Sequence, residues 1–129
     1  METFLRDNGN ISWTELTTND PEAACQFYTQ TFGWQYETMN MAVGTYHVIK
    51  NGERAIGGIM KTPEQAQGQP PTWTSYVSVD NVDETAKKIQ AAGGKIIVPA
   101  MDIPQVGRLI VLQDPQGAMI AAITYAAQS

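Results

Sequence analysis

The chain has 129 residues, 43% of them apolar and only 16% charged, the balance of a globular rather than a disordered protein, with room for one compact domain. Its formal net charge of −5, with eight scattered Lys and Arg, excludes an electrostatic grip on nucleic acid or an anionic membrane. No run approaches the roughly 20 apolar residues of a membrane span, and the N-terminal METFLRDNGN has no signal-like apolar stretch, so a cytoplasmic protein is expected.

The stretch ISWTELTTND predicts a short strand with Ile11, Trp13 and Glu15 on one face, running into a helix. In NDPEAACQFYTQTFGW, Asp20 can cap, Pro21 suits the first helical turn and Gly33 supplies the stop. Ala24, Phe27, Tyr28 and Phe32 then form a stripe expected to face a core. Cys25, the lone cysteine, is expected to be a small buried hydrophobe, consistent with a reducing compartment. Three short strand-like segments follow, WQYETM, GTYHVIK and RAIGGIMK, with the Asn-Gly of KNGE as a hairpin signal. His47, on the second of these without a neighbouring His or Cys, is expected at the strand surface.

TPEQAQGQPPT has almost nothing to bury and separates the halves as a linker over residues 62–72. The pattern then repeats. A strand carries Thr74, Tyr76 and Ser78 on one face and Val77 and Val79 on the other. An Asn81 to Glu84 capping box opens a helix with Val82, Ala86 and Ile89 on one side, and Gly93 and Gly94 stop it. GKIIV, GRLIVLQ and AMIAAIT complete the half, the last two joined by a DPQG turn. Aligning Asp20 with Asn81, 61 positions apart, also aligns Gly33 with Gly94 and Trp13 with Thr74. The chain therefore predicts an α+β fold of two tandem βαβββ modules, about 10–61 and 73–126, in a single domain over 1–129. Each module leaves a sheet face uncovered, so the modules combine, within or between chains, into a concave mixed-sheet cup with helices outside.

DPEAACQFYTQTFGW, SVDNVDETAKKIQAAGGK and LQDPQGAMIAAI closely resemble motifs of the vicinal oxygen chelate superfamily, which includes glyoxalase I, extradiol dioxygenases and bleomycin-resistance proteins. The resemblance covers roughly residues 10 to 125, and GGIMK and VGRLIVLQDPQG are similar to segments of glyoxalase-like bacterial members. In metal-dependent members, the resemblance implies a His, Gln or Glu on each module's first strand and usually a Glu on its last, holding a divalent cation that polarises substrate oxygens. Carried onto this chain, those positions fall on Trp13, Thr74, about Gly58 and Ala121, none of them a competent ligand. The superfamily's divalent metal is therefore expected to be absent, and sharing sites within a homodimer would not restore it, because every copy lacks the same groups.

The expected ligand-binding set comprises Trp13, Glu15, Trp34, Tyr46, Trp73, Thr74, Tyr76, Met60, Arg108 and Ala121, with Met39, Met41 and Met101 as further adaptable walls. Trp34 also reads as core packing, and Tyr46 and Tyr76 read equally as core or lining. Arg108, at a strand start, is either a solvated end charge or an anchor for an acidic ligand. Glu15 carries the choice of chemistry: paired with a protein donor it is structural; without one it binds a cationic or hydrogen-bonding ligand or acts as a general base. The leading expectation is a metal-independent homodimeric protein that binds an aromatic or amphipathic small molecule without transforming it. The alternatives are a glyoxalase-like lyase, isomerase or dioxygenase-type enzyme, using Glu15 or an unrecognised metal site, and a partner-binding module.

Overall fold

The computed structural model describes residues 6–41, 44–64, 68–103 and 106–126. The described residues form eight strands and two helices in the order βαβββ–βαβββ, divided into two compact units.

The first unit, Trp13–Trp73, is built on β1 (Ile11–Thr18), α1 (Pro21–Phe32), β2 (Gln35–Met41), β3 (Gly44–Asn51) and β4 (Arg54–Lys61). Its strand order is β2-β3-β4-β1, antiparallel except for the β4–β1 pair. A parallel neighbour for β1 requires a crossover, and α1 with the β2–β3 hairpin supplies it. The α1 ends are those the sequence predicts. The Asp20 carboxylate accepts from the Ala23 N–H at 3.1 Å, and Gly33 ends the helix at φ 75°, a left-handed conformation that a Cβ would strain.

Leu16, Ile49 and Ile59 form the buried core between α1 and the sheet, and Ala24, Cys25, Tyr28, Trp34 and Tyr36 pack on it. Two of the residues expected to face that core do not: Phe27 is 56% exposed and Phe32 62%. The helix rests on the sheet through Ala24, Cys25 and Tyr28, leaving these rings at its margin against Tyr28 and Trp34.

His47 is also not at the strand surface. It alternates with the buried Ile49, lies beneath α1 at 5% exposure, and has a partner on each ring nitrogen: Thr38 Oγ1 at 2.9 Å and Glu22 Oε1 at 3.3 Å. Burial pushes the Cys25 thiol up to about 11, with the Glu22 charge adding to the shift.

The second unit joins the described residues of Glu2–Ser12 to those from Thr74 onward. Its elements are β5 (Thr72–Ser78), α2 (Val82–Ala91), β6 (Lys95–Ile103), β7 (Gly107–Gln113) and β8 (Met119–Tyr125), with strand order β5-β8-β7-β6. Val82 of α2 packs on Ile110 and Ala122 of the sheet to form its core, with Val79, Ala86 and Ile89 around them. Asn81 caps α2 by accepting from the Asp83 and Glu84 N–H groups, while the Glu84 carboxylate pairs with Lys87. The left-handed residue after α2 is Gly93, at φ 93°; Gly94 sits where a Cβ would crowd Ile89 and the Gln113 carbonyl. Gly93 rather than Gly94 is therefore the counterpart of Gly33. The segment before Trp13 belongs to this unit because Gly9 and Asn10 share backbone hydrogen bonds with Ser78, and the Ser12 hydroxyl joins those of Ser78 (2.8 Å) and Tyr125 (2.7 Å).

Candidate functional site

Strand alternation sorts the first unit's side chains. Leu16 points from β1 into the core under α1, so Trp13 and Glu15 leave β1 on the opposite, helix-free face, both half-buried. There they meet Tyr46. The Trp13 Nε1–H donates to the Tyr46 hydroxyl at 3.0 Å, and that hydroxyl donates to Glu15 Oε2 at 2.8 Å.

The reach of this contact depends on Gly58. Glu15 on β1 lies opposite Gly58 on β4, and Gly58 lies opposite Val48 on β3, two residues beyond Tyr46. With β4 between them, β3 and β1 are about 10 Å apart, too far for ordinary neighbours. Tyr46 spans the gap by laying its ring over Gly58, where a Cβ would run into the hydroxyl and the ring. The glycine is thus required by close approach rather than by its backbone angles.

This geometry decides what the site offers chemically. Trp13 contributes an indole whose N–H is already spent on Tyr46, so its apolar face is what remains for a ligand. Glu15 has a protein donor, the condition under which the sequence expects a structural carboxylate, and the bond is charge-assisted when Glu15 is ionised. The two family ligand positions of this unit do not suit a divalent cation: Trp13 is a donor only, and the Tyr46 ring takes the space into which a ligand side chain at Gly58 would project. In the second unit, the corresponding Thr74 is half-buried and Ala121 is fully buried, in register with Tyr76 and Val111. Among the described residues, no group of three His, Cys, Asp or Glu side chains is arranged to hold a metal.

The remaining expected residues are dispersed. Met60 is in register with Tyr46 and so adjoins the site. Trp34 and Trp73, expected beside Trp13, lie instead on the α1 side. Trp34 packs on the Leu16 core, Trp73 meets it edge-on at 6.2 Å between ring centroids, and both contact Tyr28. Tyr76 is buried at 4% exposure in the second unit. Arg108 does not stand as a free anchor for an acidic ligand: it makes a two-pronged pair with Asp83 and a further bond to Asp102, each at 3.1 Å. Those hydrogen bonds, Asp83 first, raise its already high pKa.

Sequence reasoning passed over Gly58 as more than a failed ligand position. The signal was present in RAIGGIMK, because paired glycines inside a strand mark the close approach of another group.

Residues 10–122 match the family described as the Glyoxalase/Bleomycin resistance protein/Dioxygenase superfamily. "Putative glyoxylase CFP32" of Mycobacterium tuberculosis (strain CDC 1551 / Oshkosh) is 41% identical over 127 residues, which are 98% of this chain and 48% of that protein. "Anthracycline biosynthesis protein DnrV" of Streptomyces peucetius is 29% identical over 126 residues, 88% of this chain and 46% of its own. The chain thus spans about half the length of the curated relatives it matches. Among solved structures, methylmalonyl-CoA epimerase from Mycobacterium tuberculosis superposes with a TM-score of 0.66 over 98% of this chain and 93% of that one, at 12% identity, a likeness of fold. The repeat of βαβββ units, the family match along nearly its whole length and the 41% identical relative together show that the chain belongs to the Glyoxalase/Bleomycin resistance protein/Dioxygenase superfamily.

Proposed function

We propose that this protein binds a flat aromatic or amphipathic small molecule on the helix-free face of its first unit, without a divalent metal and without transforming it. One observation carries the reading: Tyr46 lies across Gly58 and ties Trp13 to Glu15. The hydrogen bond to Tyr46 fixes the indole by its edge, which holds its face as a preorganised stacking surface. Met60 gives an adaptable wall. The Streptomyces relative is named an anthracycline biosynthesis protein, which makes polycyclic aromatics the first candidate ligands.

The test is a tryptophan-fluorescence titration with 1,8-dihydroxyanthraquinone. Saturable quenching is expected in the native chain and in Trp34→Phe, and its loss is expected in Trp13→Leu. An unchanged response in Trp13→Leu, or no response in the native chain, would overturn the reading. Native mass spectrometry of the purified protein tests the rest: a homodimer without bound metal is expected, and stoichiometric zinc, nickel or iron refutes metal independence.

A catalytic alternative keeps Glu15 as the base despite its donor: the Tyr46 hydroxyl, 2.8 Å away, sets a second proton-bearing group beside the carboxylate. In that reading Glu15 accepts a proton in an isomerisation or lyase step. Glu15→Gln then abolishes turnover and leaves affinity nearly intact, whereas in a binding protein it alters affinity alone.

A further inference from the structure

A concavity lies on the other side of the same unit. Between α1 and the segment leading into β5 is an open groove of about 460 Å³, lined by Phe27, Tyr28 and Trp73 with Leu16, Ala24 and Asp20. Two of its rings meet the third nearly at right angles. Phe27 meets Tyr28 edge-on at 78°, with centroids 5.1 Å apart, and Trp73 meets Tyr28 at 73° and 5.5 Å. A 3.2 Å hydrogen bond from Trp73 Nε1 to the Tyr28 hydroxyl holds that corner. Phe27 and Trp73 are nevertheless 56% and 38% exposed, so large ring surfaces face water around a hollow.

The charged side chain at the groove is acidic. Asp20 caps α1 with one oxygen, thereby meeting the positive end of the helix, and among the described residues no cation pairs with it. Glu22, two residues along in the first turn, is engaged with His47, and no lining residue is basic. The nearest base by strand register, Lys61 opposite Thr18, is not among the lining residues.

We propose that this groove binds an organic cation carrying a fully alkylated ammonium group. Aromatic faces attract cations through their quadrupoles, and a trimethylammonium head, weakly hydrated and apolar at its surface, leaves water for such walls more readily than a primary ammonium does. The Asp20 carboxylate adds attraction that a neutral ligand of the same shape does not receive. The groove is distinct from the Trp13 face, so the two readings stand or fall separately.

The experiment uses the intact chain and follows the Trp73 indole N–H by NMR, assigned with Trp73→Phe, during titration with choline and with its neutral isostere 3,3-dimethylbutan-1-ol. Choline is expected to shift the resonance saturably and to bind at least about fivefold more tightly than the alcohol. Asp20→Asn is the informative variant, because Asn caps a helix as well as Asp does and the fold is retained. It is expected to weaken choline about fivefold at low salt, with the difference shrinking as ionic strength rises. Trp13→Leu is expected to leave choline binding unchanged. Equal affinity for choline and the alcohol, no effect of Asp20→Asn, or an unmoved Trp73 signal at 100-fold excess choline would each overturn the proposal.

Discussion

Replacing Gly58 by alanine tests whether Tyr46 depends on that position. A Cβ there meets the Tyr46 hydroxyl and ring, so Tyr46 must swing away and release both Trp13 and Glu15. A hydrogen bond to a charged group is worth about 1.5–3 kcal/mol and a neutral one about 1 kcal/mol; for half-buried partners the lower ends apply, so the expected loss is about 2 kcal/mol. In a Tyr46→Ala background the obstacle is gone, and Gly58→Ala should be neutral or stabilising by about 0.5 kcal/mol, since glycine costs more backbone entropy in a strand than alanine. Equilibrium urea unfolding of the native chain, both single variants and the double variant therefore gives a coupling energy of about 2 kcal/mol. The Trp13 emission maximum should shift in Gly58→Ala and Tyr46→Ala alike. If Gly58→Ala costs the same in both backgrounds, Tyr46 does not depend on the glycine and the account of the site fails.

Two further outcomes concern His47 beneath α1 and Cys25 on its inner side. His47→Ala leaves a void under the helix and deprives Thr38 and Glu22 of their partner, so it should destabilise by about 2 kcal/mol in the same unfolding assay, whereas a surface histidine would cost almost nothing. The Cys25 thiol, raised from an ordinary 9.0 to about 11, should react with iodoacetamide along a pH profile centred near 11. Because the folded state favours the neutral thiol, Cys25 contributes stability that is full below pH 9 and lost as pH rises towards 11. Cys25→Ala should flatten that part of the stability profile, and a titration near pH 9 in the folded chain would refute the burial.

Much of the architecture is written in local signals. Asp20, Pro21 and Gly33 bound α1, and Asn81 opens α2, because capping groups act on backbone atoms within a turn of themselves. RAIGGIMK and GRLIVLQ coincide with β4 and β7, since turn residues at their ends interrupt any longer pairing. The face shared by Trp13 and Glu15 follows from the period of a strand alone.

What the sequence could not determine was which side chains meet across strands. Tyr46 reaches Glu15 only because the β3–β4–β1 order puts Gly58 beneath its ring, and His47 is buried only because α1 settles over β3. Trp34 and Trp73, alike in composition to Trp13, were assigned to the other side by the packing of α1. Local chemistry thus determined the elements and their ends. Register, strand order and helix placement decided which aromatic rings line the candidate site, since those contacts join residues distant in sequence and exist only after the sheet has assembled.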